Sequence, residues 1–157
     1  MGSWKQWSRA ALTAAALAVV LDLLGAGRIQ VTAYALSCPG LPEAFSGLKI
    51  ALITDLHGAF LEDGGQALDR AAAGADLIAI SGDLFDRDTH LEQVIPAIRS
   101  LCRMAPVYYV SGNHEWTVEG RREVWAQMEE AGAILLDHRW VTLERQGASI
   151  TLAGMQD

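Results

Sequence analysis

The sequence of 157 residues is poor in cysteine and in basic residues, and each shortage excludes a class of protein. Its two cysteines, Cys38 and Cys102, form no C-x-x-C pair, so neither a zinc knuckle nor a disulfide framework fits, and two free thiols are expected. Lysine and arginine number 12 against 19 acidic residues, for a formal net charge of −7. An acidic chain without a basic stripe is unsuited to phosphate backbones, so we expect no nucleic-acid partner.

Repeats and glycine-rich nucleotide loops are missing as well. No internal repeat or low-complexity tract follows the N-terminal leader, and no G-x-G-x-x-G motif occurs. The missing motif argues against a Rossmann-type nucleotide binder. The surplus of carboxylates instead suits a site for cations, since carboxylates are hard metal ligands.

The leader contains a long run without charge. No charged residue occurs from Ala10 to Val20, and Asp22 alone interrupts the apolar run beyond it. About 18 apolar residues suffice for a transmembrane helix, and Lys5 and Arg9 precede the run, as expected for a cytoplasmic N-terminus. We therefore predict a cytoplasmic N-terminus and single-pass anchor at residues 1–28, with a catalytic domain on the extracytoplasmic side of the cell membrane.

Two alternatives to the anchor stay open. The first is a cleaved signal peptide, because Ala33-Tyr34-Ala35 has the A-x-A form of a cleavage site, although it lies well beyond the apolar run. The second is a soluble, alanine-rich core helix. Asp22 counts against an anchor, since a carboxylate at mid-bilayer costs about 2.5–3.5 kcal/mol, but it lies past the centre of the run.

After the leader, short apolar runs alternate with helical patterns, which predicts an α/β fold with a mostly parallel sheet. Apolar runs bounded by glycine and polar residues predict buried strands at Leu48–Ile53, Asp76–Ile80 and Pro106–Val110. Helices are predicted at Gln66–Ala73, Thr89–Met104 and Val118–Ala131. Further strands are predicted at Ile29–Leu36, Ile134–Leu136, Trp140–Glu144 and Ser149–Ala153.

Each of the three buried strands ends in a polar tip that is rich in metal-ligand residue types. Because the carboxyl ends of parallel strands meet at one edge of a sheet, the tips should converge there. The residues expected to meet are Asp55, His57, Asp83, Asn113 and His114. Such a mixed oxygen and nitrogen set suits Mn, Fe, Zn or Co better than calcium. Asp83 could bridge two ions that clamp a phosphate, and His114 could protonate a leaving oxygen.

Other polar residues have simpler interpretations. Asp86 and Asp88 are expected to cap the Thr89 helix. His90 at the start of that helix and His138 in a turn are expected to be surface or structural residues. A lone aspartate at a strand end is usually a turn residue, so the prediction of a site depends on the three tips taken together.

The three tips, in order and each behind a strand, resemble the calcineurin-like metallophosphoesterase family, in particular its membrane-associated bacterial branch. The family pattern is D-x-H, then G-D, then G-N-H-[DE], and here it is Asp55-Leu56-His57, Gly82-Asp83 and Gly112-Asn113-His114-Glu115. The resemblance implies a β-sandwich with flanking helices and a site that holds two divalent metal ions.

By position, the resemblance implies the metal ligands Asp55, His57, Asp83 and Asn113, with Asp83 shared between the two ions. It implies that His114 is the catalytic acid. It also implies that Glu115 supports a neighbouring histidine.

The chain departs from the family in its later histidines. The family completes its site with a lone histidine and a G-H-x-H motif, and this sequence has no G-H-x-H. Only His90 and His138 remain, and neither has the matching context. We therefore expect residues 29–157 to be the N-terminal portion of a metallophosphoesterase domain, an incomplete sandwich in which the second ion keeps two protein ligands.

The expected function is metal-dependent hydrolysis of a phosphoester or pyrophosphate at a two-metal site near a membrane surface. The anchor favours a lipid-linked phosphoester substrate, and we expect this chain alone to be inactive. The alternative is a non-catalytic, membrane-anchored fragment that binds metal weakly. The completeness of the metal ligand set distinguishes the two.

Overall fold

A computed structural model describes residues 29–156 of the chain. The chain divides into two units, Met1–Gln30 and Val31–Asp157, and every helix and strand of the described part lies in the second unit. The predicted anchor at residues 1–28 lies outside the described residues. Within residues 29–156, no helix combines the length and apolar character that crossing a bilayer requires.

A four-stranded parallel sheet forms the centre of the fold. Its strands are β1 (Ile50–Ile53), β2 (Leu77–Ser81), β3 (Val107–Val110) and β4 (Ile134–Leu135). Their order in space is β1-β2-β3-β4, the same as their order in the chain, and every neighbouring pair is parallel. The predicted parallel sheet is therefore confirmed, and the carboxyl ends of β1, β2 and β3 lie side by side.

Helices cover one face of the sheet. They are α1 (Gln66–Ala71), α2 (Val94–Met104) and α3 (Arg121–Glu130). The apolar stripe of α2 is wholly buried, at the spacing that one helix face requires, and consists of Val94, Ala97, Ile98 and Leu101. The inward residues of the strands pack on this side, because successive side chains of a strand point to opposite faces: Ile78, Ile80, Val107 and Tyr109.

Two helices begin later than predicted. Residues before α2 form a turn in which the Asp86 N–H donates to Thr89 Oγ1 at 2.9 Å, and a short 3-10 turn at Leu91–Gln93 then leads into the helix. Before α3, Gly120 has φ of 78°, in the left-handed region, which interrupts a right-handed helix. In both places a local turn overrides a periodic apolar pattern.

A β-hairpin packs on the other face of the sheet. Its antiparallel strands are β5 (Trp140–Arg145) and β6 (Ala148–Ala153), joined at Gln146 and Gly147, both with positive φ. Such a pair is typical of a two-residue hairpin turn. The contact between hairpin and sheet is apolar and is made by Val141, Leu143 and Leu152 against Leu77, Tyr108 and Leu136.

The strand predicted at Ile29–Leu36 is wrong. The segment forms no strand and is exposed from Gln30 onward, with Tyr34 and Leu36 exposed to 82% and 88%. An alternating pattern specifies which face of a strand is apolar, but a strand also needs a partner for its backbone groups. None of the described strands pairs with this segment.

Candidate metal centre

The loops that follow β1, β2 and β3 continue side by side beyond the ends of the strands. The Asp55 N–H donates to the Gly82 carbonyl at 3.2 Å, and the His57 N–H donates to the Asp83 carbonyl at 2.8 Å. On the other side of the middle loop, the Gly82 N–H donates to the Val110 carbonyl at 2.9 Å. These backbone bonds bring the polar tips of the three strands to one edge of the sheet.

Three of the predicted ligands converge at this edge. A carboxylate oxygen of Asp55, a carboxylate oxygen of Asp83 and a ring nitrogen of His57 all lie within 4.8 Å of one another. Two atoms that bind the same ion at about 2.1 Å can lie at most about 4.2 Å apart. Small side-chain rotations therefore suffice for these groups to hold one metal ion.

The backbone at all three of these residues is left-handed. The φ angles are 54° at Asp55, 48° at His57 and 52° at Asp83. Residues other than glycine seldom adopt positive φ, and each such residue costs about 1–3 kcal/mol when the surrounding structure holds it there. Strain of this kind is concentrated at functional sites, and here all three strained residues have side chains of metal-ligand types.

Two glycines allow the loops after β2 and β3 to approach closely. A Cβ atom on Gly82 would lie 2.9 Å from Gly112 Cα. A Cβ atom on Gly112 would collide with Asp83 Oδ1. Only glycine at both positions lets the Asp83 carboxylate lie against the Gly112 backbone.

Asn113 is exposed and lies at the mouth of the same site. It lines an open cavity of about 310 Å³. A second ion beside the first would have room there. The other residues that line the cavity are Asp55, Ser81, Gly82, Asp83, Val110, Ser111, Gly112 and Met155.

His114 stands next to His57 and is not one of the three residues that converge, Asp55, His57 and Asp83. The two imidazole rings have centroids 4.6 Å apart and meet edge to face, with an interplanar angle of 84°. The backbone N–H of His114 donates to Asp83 Oδ1 at 3.0 Å. This bond fixes the backbone of His114 relative to the site, while the residue remains exposed.

Asp86 also lies beside His57 and His114, although its position in the sequence predicted only a helix cap. Its Oδ2 atom lies 3.3 Å from His57 Nδ1, and ligand atoms of Asp86, His57 and His114 also lie within 4.8 Å of one another. A carboxylate on one ring nitrogen leaves the other nitrogen free for a metal. The signal in the sequence was its place three residues after Asp83, in the same loop.

The predicted capping role of Asp86 is wrong, because the helix begins later, and its Oδ1 atom instead closes a turn. That oxygen accepts hydrogen bonds from the Asp88 N–H and from Thr89 Oγ1, each at 3.0 Å. Burial by itself would raise the pKa of Asp86, but these two bonds and the neighbouring His57 hold that pKa below its ordinary value. Asp86 therefore stays ionised beside His57.

Glu115 is wholly buried behind the site, with 0% of its surface exposed. Its Oε2 atom accepts the N–H groups of Asp83 and Gly112, each at 3.0 Å. Its Oε1 atom accepts the Leu84 N–H at 2.6 Å and the Tyr109 hydroxyl at 3.0 Å. Burial raises the pKa of Glu115, and the hydrogen bonds lower it in part. Its partners are backbone groups and a tyrosine, not the neighbouring histidine that the resemblance implied.

Comparison with known proteins gives two matches. The model of the calcineurin-like phosphoesterase family matches residues 48–154. The chain is 27% identical over 125 residues to the uncharacterized metallophosphoesterase YkoQ of Bacillus subtilis (strain 168). That alignment covers 75% of this chain and 46% of the relative, so the chain spans just under half the length of the relative.

Proposed function

The chain belongs to the calcineurin-like phosphoesterase family, and on that premise we propose that it carries metal-binding residues of a site that hydrolyses phosphoesters or pyrophosphates. One observation carries the proposal. Ligand atoms of Asp55, His57 and Asp83 lie within 4.8 Å of one another at the carboxyl edge of the sheet, which is where open α/β sheets bind their ligands.

The residues would divide between two ions. Asp55 and His57 would hold the first ion, Asn113 would hold the second, and Asp83 would contribute to both. Two carboxylates, an imidazole and an amide oxygen suit Mn, Fe, Zn or Co. When bound at such a site, divalent ions supply the positive charge that clamps a phosphate and lowers the pKa of a water nucleophile.

His114 supplies the proton that the leaving oxygen needs. A general acid must lie within hydrogen-bond reach of the atom that it protonates, and the support for His114 is its exposed ring, which lies edge to face with His57 at 4.6 Å between centroids. Asp86 holds His57 in one orientation through Nδ1. In this arrangement a substrate phosphate would lie between the ligands and a proton donor.

The test of this proposal is manganese-dependent hydrolysis of bis-p-nitrophenyl phosphate. No G-H-x-H motif occurs in the 157 residues, so the second ion has only Asp83 and Asn113 from the predicted set. We therefore expect little or no turnover by this chain, and robust turnover by an extended version to which a segment that carries G-H-x-H is added. Manganese binding without turnover by the extended version would favour the non-catalytic alternative.

A substitution pair sharpens this test. Asp83→Asn keeps the size of the side chain and tolerates positive φ, but it removes the shared charge, so the extended version should lose its activity. Asp63→Asn is the matched control, because Asp63 also has a positive φ, of 56°, and its side chain bonds to the Gln66 N–H outside the site. Normal activity in the Asp83→Asn variant would remove Asp83 from its bridging role.

We further propose that the site works at a membrane surface on a lipid-linked phosphoester, with residues 1–28 as the anchor and the domain on the extracytoplasmic side. The support is the uncharged run from Ala10 to Val20 behind Lys5 and Arg9. Carbonate extraction of membranes is the test, and the chain should stay with the membrane fraction. Release of the intact chain into the soluble fraction would refute the anchor.

A further inference from the structure

The buried carboxylate of Glu115 joins the two loops that carry Asp83 and Asn113. It lies beneath the site, and it accepts backbone N–H groups from both loops: those of Asp83 and Leu84 after β2, and that of Gly112 after β3. A buried carboxylate is stable only when its oxygens are well supplied with donors. Here each oxygen has two donors, so the bonds that stabilise the charge also fix the loops.

The backbone after β2 is shaped to receive this carboxylate. Gly82 and Asp83 have consecutive positive φ angles of 77° and 52°. Successive backbone N–H groups can point into a common concavity that binds an anion. The N–H groups of Asp83 and Leu84 converge in this way on Glu115, one on each carboxylate oxygen. The strained conformation of Asp83 is thus matched to an anion that the protein itself supplies.

Glu115 is in turn tied to α3. Its Oε1 atom accepts the hydroxyl of Tyr109 at 3.0 Å, and the Tyr109 oxygen accepts the indole N–H of Trp125 at 3.2 Å. Trp125 lies on α3. The carboxylate therefore has a fixed position relative to a helix as well as to the sheet, and it can set the position of the more exposed loops.

We propose that Glu115 is a positioning residue that sets the metal affinity of the site by holding the Asp83 backbone against the Gly112 loop. This inference rests on the proposed function, in that Asp83 is taken to bind metal. Glu115 itself lies behind the backbone and does not touch the ion or the substrate. It acts through three backbone N–H groups, which fix the position of the Asp83 backbone and therefore of its side chain.

Glu115→Gln is the informative variant, because it keeps the shape and removes one acceptor oxygen. A glutamine has one oxygen and one NH₂ group, and the NH₂ group cannot accept. With the oxygen kept toward Asp83 and Gly112, the NH₂ group faces the Leu84 N–H. With the amide turned over, the NH₂ group faces the backbone N–H groups of Asp83 and Gly112 instead. Either orientation loosens the turn at Asp83, and we expect manganese affinity to fall about 10–100-fold.

The experiment uses the full chain and two measurements. Free manganese is followed by electron paramagnetic resonance during a titration, and amide ¹H–¹⁵N spectra are recorded without metal. The spectra are the signature of positioning, because the Leu84 and Asp83 amide protons should move upfield in Glu115→Gln as they lose a charged acceptor. Glu119→Gln, the same substitution at an exposed position four residues later, should change neither measurement.

Each outcome decides the inference. Wild-type manganese affinity in a folded Glu115→Gln variant would overturn it. If that variant does not fold, Tyr109→Phe takes its place, since it removes one donor to Glu115 and keeps the ring. Weaker manganese binding by Tyr109→Phe supports the inference, and unchanged binding overturns it. If the wild-type chain binds no manganese, the proposed function fails, and unmoved amide signals of Asp83 and Leu84 would overturn the positioning role separately.

Discussion

Tyr109 is the residue whose ionisation should be most visible in the stability of the protein. Burial, followed by the nearby charge of Glu115, raises its pKa far above the ordinary value. Above about pH 10 the unfolded chain loses the phenolic proton and the folded protein keeps it. The unfolded state then binds fewer protons, so the free energy of unfolding falls as the pH rises.

We predict a loss of about 1.4 kcal/mol per pH unit above about pH 10 from this residue. Urea unfolding at several alkaline pH values is the measurement. Tyr109→Phe should flatten the dependence, whereas Tyr34→Phe should not, because Tyr34 is 82% exposed. Parallel pH profiles for wild type and Tyr109→Phe would contradict the prediction.

At the scale of single residues, the sequence predicts which side chains come together, but it does not predict which hydrogen bonds hold them in place. Asp55, His57 and Asp83 could be predicted to converge, because each follows a strand of a parallel sheet. Their side chains could be predicted to bind metal, because aspartate and histidine are common metal ligands. Cys38 and Cys102 are free thiols as predicted. The role of Glu115 could not be predicted, because its partners are mostly backbone N–H groups. Every residue type except proline has such a group, so no sequence motif identifies the partners.

At the scale of elements, the strands that are buried were the ones whose surroundings the sequence could predict. Strands β2 and β3 follow apolar runs and are mostly buried, as predicted. The predicted burial of β1 is wrong, because β1 lies at the edge of the sheet, where Ile50 and Leu52 are 55% and 67% exposed. The segment Ile29–Leu36 was predicted wrongly, because alternation also occurs in a chain without a pairing partner. The start of α2 was misplaced because the Asp86 turn depends on a side chain bonding to nearby backbone, which periodicity does not record.

The packing of the hairpin against the sheet gives the prediction at this scale. Leu136 is 2% exposed in the cluster that joins the two sheets, so Leu136→Ala should lower the free energy of unfolding by about 2–5 kcal/mol. Leu36→Ala is the matched control, at 88% exposure, and should change stability by less than about 0.5 kcal/mol. Urea unfolding measures both, and equal effects would mean that the Leu36 segment packs against the domain.

At the scale of the whole molecule, metal binding should stabilise the fold. The site gathers carboxylates in a chain whose formal net charge is −7, and a cation that binds the folded state relieves their repulsion. A ligand at about 100 times its Kd that binds only the folded state adds about 2.7 kcal/mol. We predict a rise in melting temperature with manganese that Asp83→Asn removes and Asp63→Asn keeps. Calorimetry measures it, and no rise for wild type would contradict metal binding by the folded chain.

The left-handed backbone at Asp55, His57 and Asp83 also restricts which metals a site built from these positions would bind. Among residues with a side chain, asparagine, aspartate and histidine are the ones enriched at positive φ, and they supply oxygen or imidazole nitrogen to a metal. Cysteine, the thiolate ligand, does not share this preference. A change toward thiolate-binding metals would therefore require both loops that carry these three residues to be rebuilt, so the shape of the backbone and the hardness of the metal would have to change together.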